Sequence, residues 1–347
     1  MESPEANPVE LPIRDILAFA RLEIMTEFPL NLNATAESSG ARLDQFLASE
    51  LKDISRARIQ LLLKEEKILV NGAPAKPSLH LRGDERITIL GAVNPPPLRA
   101  IAEQIPLDIA YEDDDLAVVN KPAGMMVHAG AGATDSARNR GTLVNALLHH
   151  FRQLSAVSGE LRPGIVHRLD KETSGLIMVV KNDAIHRKLA AQFSSRQVKK
   201  TYVALVHGWL KNDHGTIHAS ISRDRVRRTR MTTRGSGGRE AITHYAVEKR
   251  IESAYGKFTL LEVRIDTGRT HQIRVHMASL HHPVVGDTLY GAPHQMCGKN
   301  RPTISLPRNF LHAAKLEFQH PRTDEQLAFE QPLPEELNQF LRRLTGE

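Results

Sequence analysis

Residues 162–183 read RPGIVHRLDKETSGLIMVVKND. The apolar run from Leu176 to Val180 is rich in β-branched side chains and too short for a helix, so it predicts a buried strand. His167, Arg168, Leu169 and Asp170 then fall in a polar loop held against that strand, entered through Pro163 and Gly164. A loop that places His, Arg, Asp, Lys and Glu within six positions on a rigid strand is suited to chemistry. A surface turn whose charges pair with one another would have the same composition, so the decision falls to the rest of the chain.

Around this stretch strands and helices are interspersed without strict βαβ alternation. Leu107 to Tyr111 alternates as a strand, Leu116 to Val119 is a buried strand, and Thr142 caps a helix reaching Phe151. Residues 184–193 predict another helix, and residues 202–206, 260–265 and 310–318 predict strands. The pattern argues for an α+β fold with a mixed, mostly antiparallel sheet over residues 105–347. Residues 40–92 are separate. Leu43, Phe46, Leu47 and Leu51 recur at helical spacing, a second helix capped by Ser55 carries Ile59, Leu62 and Leu63, and Asn71-Gly72 marks a tight turn. This gives a small domain of two helices plus a hairpin. Residues 93–104, with three consecutive prolines, form a stiff linker. Residues 1–39 form an arm with a short helix over 13–24 and a weakly ordered stretch over 31–39.

The chain of 347 residues has a net charge of +6 and a pI near 9.4, a balance that suits a polyanionic partner. Residues 223–239 hold seven arginines and one acid, Asp224, with glycines at 235, 237 and 238. Such a segment is a flexible basic loop for which a phosphate backbone is the natural ligand. Cys297 is the single cysteine, which excludes an intramolecular disulfide and a cysteine-rich zinc site and fits a reducing compartment. No apolar run is long enough to span a membrane and the N-terminus has no secretory pattern, so a cytoplasmic location is expected. Seventeen histidines invite a metal, but His271 and His276 are five apart rather than four, and no HExxH occurs. Gly130-Ala131-Gly132 lacks the third glycine of a dinucleotide fingerprint, and Gly235-Ser236-Gly237 lies in the arginine loop rather than at a nucleophile elbow. Neither a metal nor a cofactor is expected.

HRLDKETSGL, the upstream VVNKPAGMMVH (residues 118–128) and the downstream TGRTHQIRVHM (residues 267–277) agree in order and spacing, and together the chain resembles the RluA family of RNA pseudouridine synthases. The pattern ARLDQFL…SRARIQLLL…ILVNG…LRGDERITI resembles the small RNA-binding fold named after ribosomal small-subunit protein four. One position departs from it: Glu66 stands where that fold has glycine at the end of its second helix. The resemblance implies an isomerase that cuts the bond between sugar carbon one and base nitrogen one and rejoins the sugar to base carbon five. That chemistry needs a carboxylate beside the sugar or base and a base taken out of its stack.

By resemblance Asp170 is that carboxylate. Arg168, two residues earlier and on the same side of an extended loop, reaches into the space vacated by the flipped base. Tyr202 stacks on the base and assists proton transfer. Arg269, at the turn made by Gly268, pairs with Asp170, with Thr270 capping the helix that follows. Arg274 is the fallback partner and otherwise an RNA contact, as are Arg42, Arg56 and Arg58 of the small domain. The implied partner is structured RNA, large-subunit ribosomal RNA ahead of transfer RNA, bound by a monomer. A non-catalytic RNA-binding or assembly factor is the competing reading, and the presence of Asp170 with Arg168, Tyr202 and Arg269 disfavours it.

Overall fold

The computed structural model describes residues 29–51, 56–90, 100–129, 140–298 and 300–346. The chain divides between Pro97 and Leu98 into two compact units. The expected helix over 13–24, the Ser55 cap, the three prolines and the Gly130-Ala131-Gly132 stretch lie outside the described residues.

The first unit contains β1 (Leu30–Asn33), α1 (Leu43–Glu50), α2 (Arg56–Lys64), β2 (Ile68–Val70), β3 (Ala73–Pro74) and β4 (Arg86–Ile89). Its strands form an antiparallel sheet in the order β1-β4-β2-β3. Leu43 and Leu47 of α1 and Ile59, Leu62 and Leu63 of α2 close over Ile68, Ile87 and Ile89. The stretch over 31–39 is more ordered than its composition suggests. Leu30 pairs with Ile89 and Asn33 with Arg86, and Leu30 and Leu32 pack against the core while Asn31 and Asn33 face out. The period of two is present, but four residues, half of them asparagine, are too few to announce a strand.

Asn71 and Gly72 both adopt positive φ (51° and 81°), as a tight hairpin turn requires. Helix α2 ends with the Glu66 amide donating to Leu63 O (3.2 Å) and the Lys67 amide to Leu62 O (2.8 Å). Glu66 itself has φ 56° and is exposed. A glutamate therefore occupies the left-handed position for which glycine is the unstrained choice.

The second unit contains β5 (Asp108–Glu112), β6 (Leu116–Lys121), α3 (Leu143–His150), β7 (Ser174–Val180), α4 (Asp183–Ser194), β8 (Lys199–His207), β9 (His214–His218), β10 (Ser222–Arg223), β11 (Met231–Thr232), β12 (Ile242–Ser253), β13 (Gly256–Ile265), α5 (Gln272–Ser279), β14 (Leu311–Gln319), β15 (Gln326–Glu330) and α6 (Glu335–Thr345). The main sheet runs β5-β6-β7-β14-β8-β13-β12-β9, with β15 also on β14. Strands β7 and β14 are parallel and the other ladders are antiparallel, so the sheet is mixed and mostly antiparallel, as the sequence implied.

The continuous apolar run of β7 has a simple cause: both faces of the sheet are covered. Leu176, Met178 and Val180 pack with Leu116 and Val118 of β6 and with Ile185 and Leu189 of α4. Ile177 and Val179 point the other way, with Ala117 and Val119, toward Leu143, Val144 and Leu147 of α3. Burying each such side chain contributes roughly 1.5–3 kcal/mol, so the strand is a firm mount for the loop before it. Gly175 (φ 112°) lets that loop enter the sheet, because a Cβ there would lie 2.3 Å from Ala313 O of β14.

Two segments depart from the sequence reading. Residues 223–239 are not a plain loop: β10 and β11 pair as a short hairpin and Ile221 bridges Arg239. Strand β12, twelve residues long, was not anticipated; most of its outer half is exposed and polar, and its ladder with β13 defines it.

Glu66→Gly should stabilise the first unit by about 1 kcal/mol, the order of the left-handed Cβ penalty. Native-state hydrogen exchange at the Leu62 and Leu63 amides measures it. Unchanged or weaker protection would mean that the helix end is not strained.

Candidate active site

Asp170 lies on the loop before β7, and several backbone groups fix that loop. The Thr173 amide donates to Asp170 O (3.1 Å), closing a turn just past the carboxylate. The Gly124 amide donates to Lys171 O (2.9 Å). Lys121, fully buried at the end of β6, donates from Nζ to Pro122 O (2.6 Å), Met125 O (2.9 Å) and Lys171 O (3.2 Å). Burial pushes this ammonium down to about 8. One lysine thus staples the NKPAG segment to the HRLDK segment. His167 serves as a second anchor. Its Nε2 accepts the Met178 amide (2.9 Å), and burial depresses the imidazole to about 3, so the neutral ring required of an acceptor persists.

The Asp170 carboxylate meets Arg274 of α5, not Arg269. Arg274 Nη1 donates to Asp170 Oδ2 (3.0 Å), and its Nε and Nη2 donate to Asp287 Oδ2 (2.6 Å) and Oδ1 (2.9 Å). Burial opposes the Arg274 charge, but the Asp287 and Asp170 carboxylates outweigh it and hold its pKa above the ordinary arginine value. Arg274 is 9% exposed and Asp287 2%, so Arg274 is not available as an RNA contact. Arg269 is tethered elsewhere: its Nε donates to Glu240 O (3.0 Å) and its amide to Gln272 Oε1 (3.0 Å). The reason is the helix start. Thr270 does not cap α5; His271 does, at φ 56°, and this left-handed residue turns the chain so that Arg274, one turn into the helix, faces Asp170.

Asp170, Arg168, Tyr202, Arg269, His271 and Arg274 line a cavity of about 50 Å³. That volume admits only a few waters. It shares Arg168, Tyr202, Gly268 and Arg269 with a groove of about 640 Å³ that also carries His128, Arg162, Arg196 and Lys200. The cavity therefore has a narrow floor and a basic approach, in which five cationic side chains outnumber Glu240 and Asp266. Asp170 Oδ1 accepts no hydrogen bond from the described residues, so one carboxylate oxygen is held and the other is open to a ligand. Tyr202, on β8, is 5% exposed, and burial, reinforced by Asp170, raises its phenol well above the ordinary value. It is a ring that keeps its phenolic proton beside the carboxylate. Arg168 is exposed and its Nη1 lies 3.4 Å from Nε2 of the buried His128. Burial lowers the His128 pKa, which leaves Nδ1–H for Ala129 O (2.7 Å) and Nε2 as acceptor for the arginine.

Asp287, Tyr290 and His128 were not singled out from the sequence. An arginine drawn into a buried site demands a second acid, and that demand was the available signal for Asp287.

In the first unit, Arg42 Nε donates to Asp44 Oδ1 (3.1 Å) and Arg56 Nη2 to Asp44 Oδ2 (2.8 Å), with Gln60 Nε2 also on Oδ2 (2.8 Å). Arg42 and Arg56 remain 37% and 46% exposed over a fully buried carboxylate. The Arg58 side chain lies outside the described residues. Among the described residues Asp113, Asp115 and His320 bring metal-ligating atoms within 4.8 Å of one another. They are already engaged: His320 with Asp113, Arg322 and Asn182 with Asp115, and Tyr111 with Asp113. No described helix is long and apolar enough to cross a membrane.

Residues 115–279 match the RNA pseudouridylate synthase family, and residues 41–87 match the S4 domain. The chain belongs to the RluA-type RNA pseudouridine synthases, which are isomerases, and carries an N-terminal S4 domain. It is 42% identical to an RNA pseudouridine synthase of Bacillus subtilis, over 91% of this chain and 98% of that one. It is 41% identical to the ribosomal large subunit pseudouridine synthase D of Neisseria meningitidis, over 91% of this chain and 82% of that one. Among solved structures it resembles human RNA pseudouridylate synthase domain containing 1, with a TM-score of 0.51, 29% identity, and coverage of 67% of this chain and 86% of that one.

Arg274→Lys keeps a positive charge but cannot span two carboxylates. Its turnover should fall by about 100-fold, the cost of displacing a reacting group by roughly an ångström, with RNA affinity unchanged. Single-turnover assays and filter binding decide it; wild-type turnover would show that charge alone suffices.

Proposed function

We propose that this synthase converts specific uridines of large-subunit ribosomal RNA to pseudouridine, with Asp170 as its catalytic carboxylate. The observation that carries the catalytic part is the Asp170–Arg274 pair at the floor of a cavity that opens, past Tyr202 and Arg168, into a basic groove. A uridine drawn from its stack enters from the groove, since the cavity alone is too small for a base. Arg274 fixes Oδ2, leaving Oδ1 to meet the sugar or the base as the glycosidic bond breaks. Tyr202 packs against the base and carries a proton that burial prevents it from losing. Arg168, exposed at the mouth, fills the space that the base leaves and offsets part of the few kcal/mol that extrusion costs. Arg269 forms part of the wall.

The substrate assignment is supported by relatives named as large-subunit pseudouridine synthases, from Neisseria meningitidis at 41% identity and Nitrosomonas europaea at 40%. The S4 domain and the basic groove supply phosphate contacts, with Arg42 and Arg56 as candidates in the former.

Asp170→Asn is nearly isosteric and should bind RNA as the wild type does while losing about 10³-fold or more in turnover. Pseudouridine maps of large-subunit ribosomal RNA should lose specific positions when the gene is deleted or replaced by this variant. Loss confined to transfer RNA would overturn the substrate, and retained turnover would overturn the role of Asp170.

Arg168→Ala separates extrusion from chemistry. Its single-turnover rate should fall strongly on a paired or stacked target and several-fold less on an unstructured oligonucleotide carrying the same uridine, where extrusion is cheap. Equal losses would place Arg168 on the chemical step instead.

A further inference from the structure

The basic hairpin and the Asp170–Arg274 pair meet on one side chain. Tyr290 lies in the short 3₁₀ turn Thr288–Tyr290, directly after Asp287. Its ring has the Arg274 guanidinium 5.0 Å from the centroid and the Arg230 guanidinium 5.3 Å away. Arg230 belongs to the hairpin and Arg274 to the site. The hydroxyl accepts the Met231 amide of β11 (2.9 Å) and lies 2.8 Å from His271 Nδ1. The phenol oxygen accepts from Met231 and keeps its own proton, which Nδ1 of a neutral His271 can accept. Burial lowers the His271 pKa, which suits a neutral acceptor. His271 is the N-cap of α5 and lines the cavity.

Tyr290 also centres a small core of its own. With Ile221, Ala241 and Val275, and with Met231 packed against them, it forms a cluster apart from the main core. A tyrosine that only filled space would need one partner for its hydroxyl. This one has two, from two elements, and a guanidinium from each of the same two regions against its ring.

The hairpin's outer surface is suited to RNA. Arg223, Arg225, Arg227, Arg228, Arg234 and Arg239 are exposed, and only Arg230 turns inward. The one acid, Asp224, is engaged by the Val226 (2.8 Å) and Arg227 (3.0 Å) amides, which shape the turn. The hairpin strands are two residues each, a slender hold by themselves.

We propose that Tyr290 is a positioning residue that couples RNA docking on the basic hairpin to the alignment of Arg274 with Asp170. The proposal rests on the reading of Asp170 as the catalytic carboxylate. Phosphates gripped by the exposed arginines fix the hairpin. The hairpin then fixes the Met231 amide and Arg230 against the phenol, and the phenol holds His271 and the Arg274 face in the arrangement that presents Asp170. RNA that docks on the hairpin is thereby its own activator, because the docked state and the aligned state are stabilised together.

The test compares four proteins on transcribed large-subunit ribosomal RNA: wild type, Tyr290→Phe, the hairpin variant Arg225→Ala/Arg227→Ala/Arg228→Ala, and their combination. Single-turnover rates at saturating RNA and dissociation constants are measured for each. Tyr290→Phe keeps the ring and deletes both hydroxyl bonds. It should leave affinity within about twofold and slow the rate by about three- to thirtyfold, the range of such couplings. The hairpin variant should weaken binding and also slow the saturated rate. The combination should be no slower than the slower single variant, since both break one connection. Losses that multiply would overturn the coupling, as would a Tyr290→Phe rate equal to wild type. Should Tyr290→Phe not fold, Arg230→Ala, which removes the hairpin guanidinium from the ring, takes its place under the same outcomes. Asp170→Asn runs in parallel: if it turns over, the catalytic reading fails, and if it is inactive while losses multiply, only the coupling fails.

Discussion

Arg274 carries one positive charge between two carboxylates, and burial leaves little water to help stabilise the three charges. Removing one member of such a buried set costs about 3–5 kcal/mol, because the remaining charge has nowhere to go. The arrangement is also asymmetric. Asp287 takes two guanidinium nitrogens and is 2% exposed, whereas Asp170 takes one and is 16% exposed. Asp287 therefore fixes the arginine, and the arginine fixes Asp170 from one side only. A carboxylate held by both oxygens would be better braced and unable to meet a substrate.

The remaining constraint is that the Asp170 loop must not move when that free oxygen is used. Segments far apart in sequence meet this need as one structure. Lys121 reaches from β6 to Lys171 O, His167 takes an amide of β7, and Gly175 allows β14 to pass within a distance that no side chain would tolerate. The lysine and histidine of the motifs thus hold main-chain groups, and the glycine makes room for one. The depressed pKa values of Lys121 and His167 follow from that placement, since burial favours the neutral form of each. Perturbed titration marks the scaffold here as much as the chemistry.

What could be read from the sequence was whatever short-range pattern encodes. The run 176–180 announced a strand because both faces of the sheet are apolar, and Thr142 announced its helix because Asn145 completes the cap. Asp170, Arg168 and Tyr202 were legible through motif order, and the structure gathers them at one cavity. The choice between Arg269 and Arg274 was not legible. It depends on a left-handed residue, His271; histidine enters that region more often than most side chains, yet in only a small fraction of cases, so the sequence does not mark this position. Asp287 and Tyr290 were hard to place for a related reason: their partners lie 13 and 59 residues away in sequence and meet them only through the fold. Strand β12 is likewise a tertiary product, specified by its ladder to β13 rather than by its own composition.

The first unit applies the same economy to a different end. Asp44 is fully buried and Arg42 and Arg56 lie half in solvent above it. Hydrogen bonds from Arg42, and beyond them those from Gln60 and Arg56, outweigh burial and hold the Asp44 carboxyl well below the usual range. One carboxylate beneath two guanidiniums leaves an excess of positive charge at the surface. It also removes much of the side-chain freedom that a free arginine would lose on meeting a phosphate. Two arginines fixed from below can keep donor groups for a ligand above, because each guanidinium has five N–H groups and the carboxylate occupies at most two of each. The pairing thereby sets the direction in which the remaining donors point.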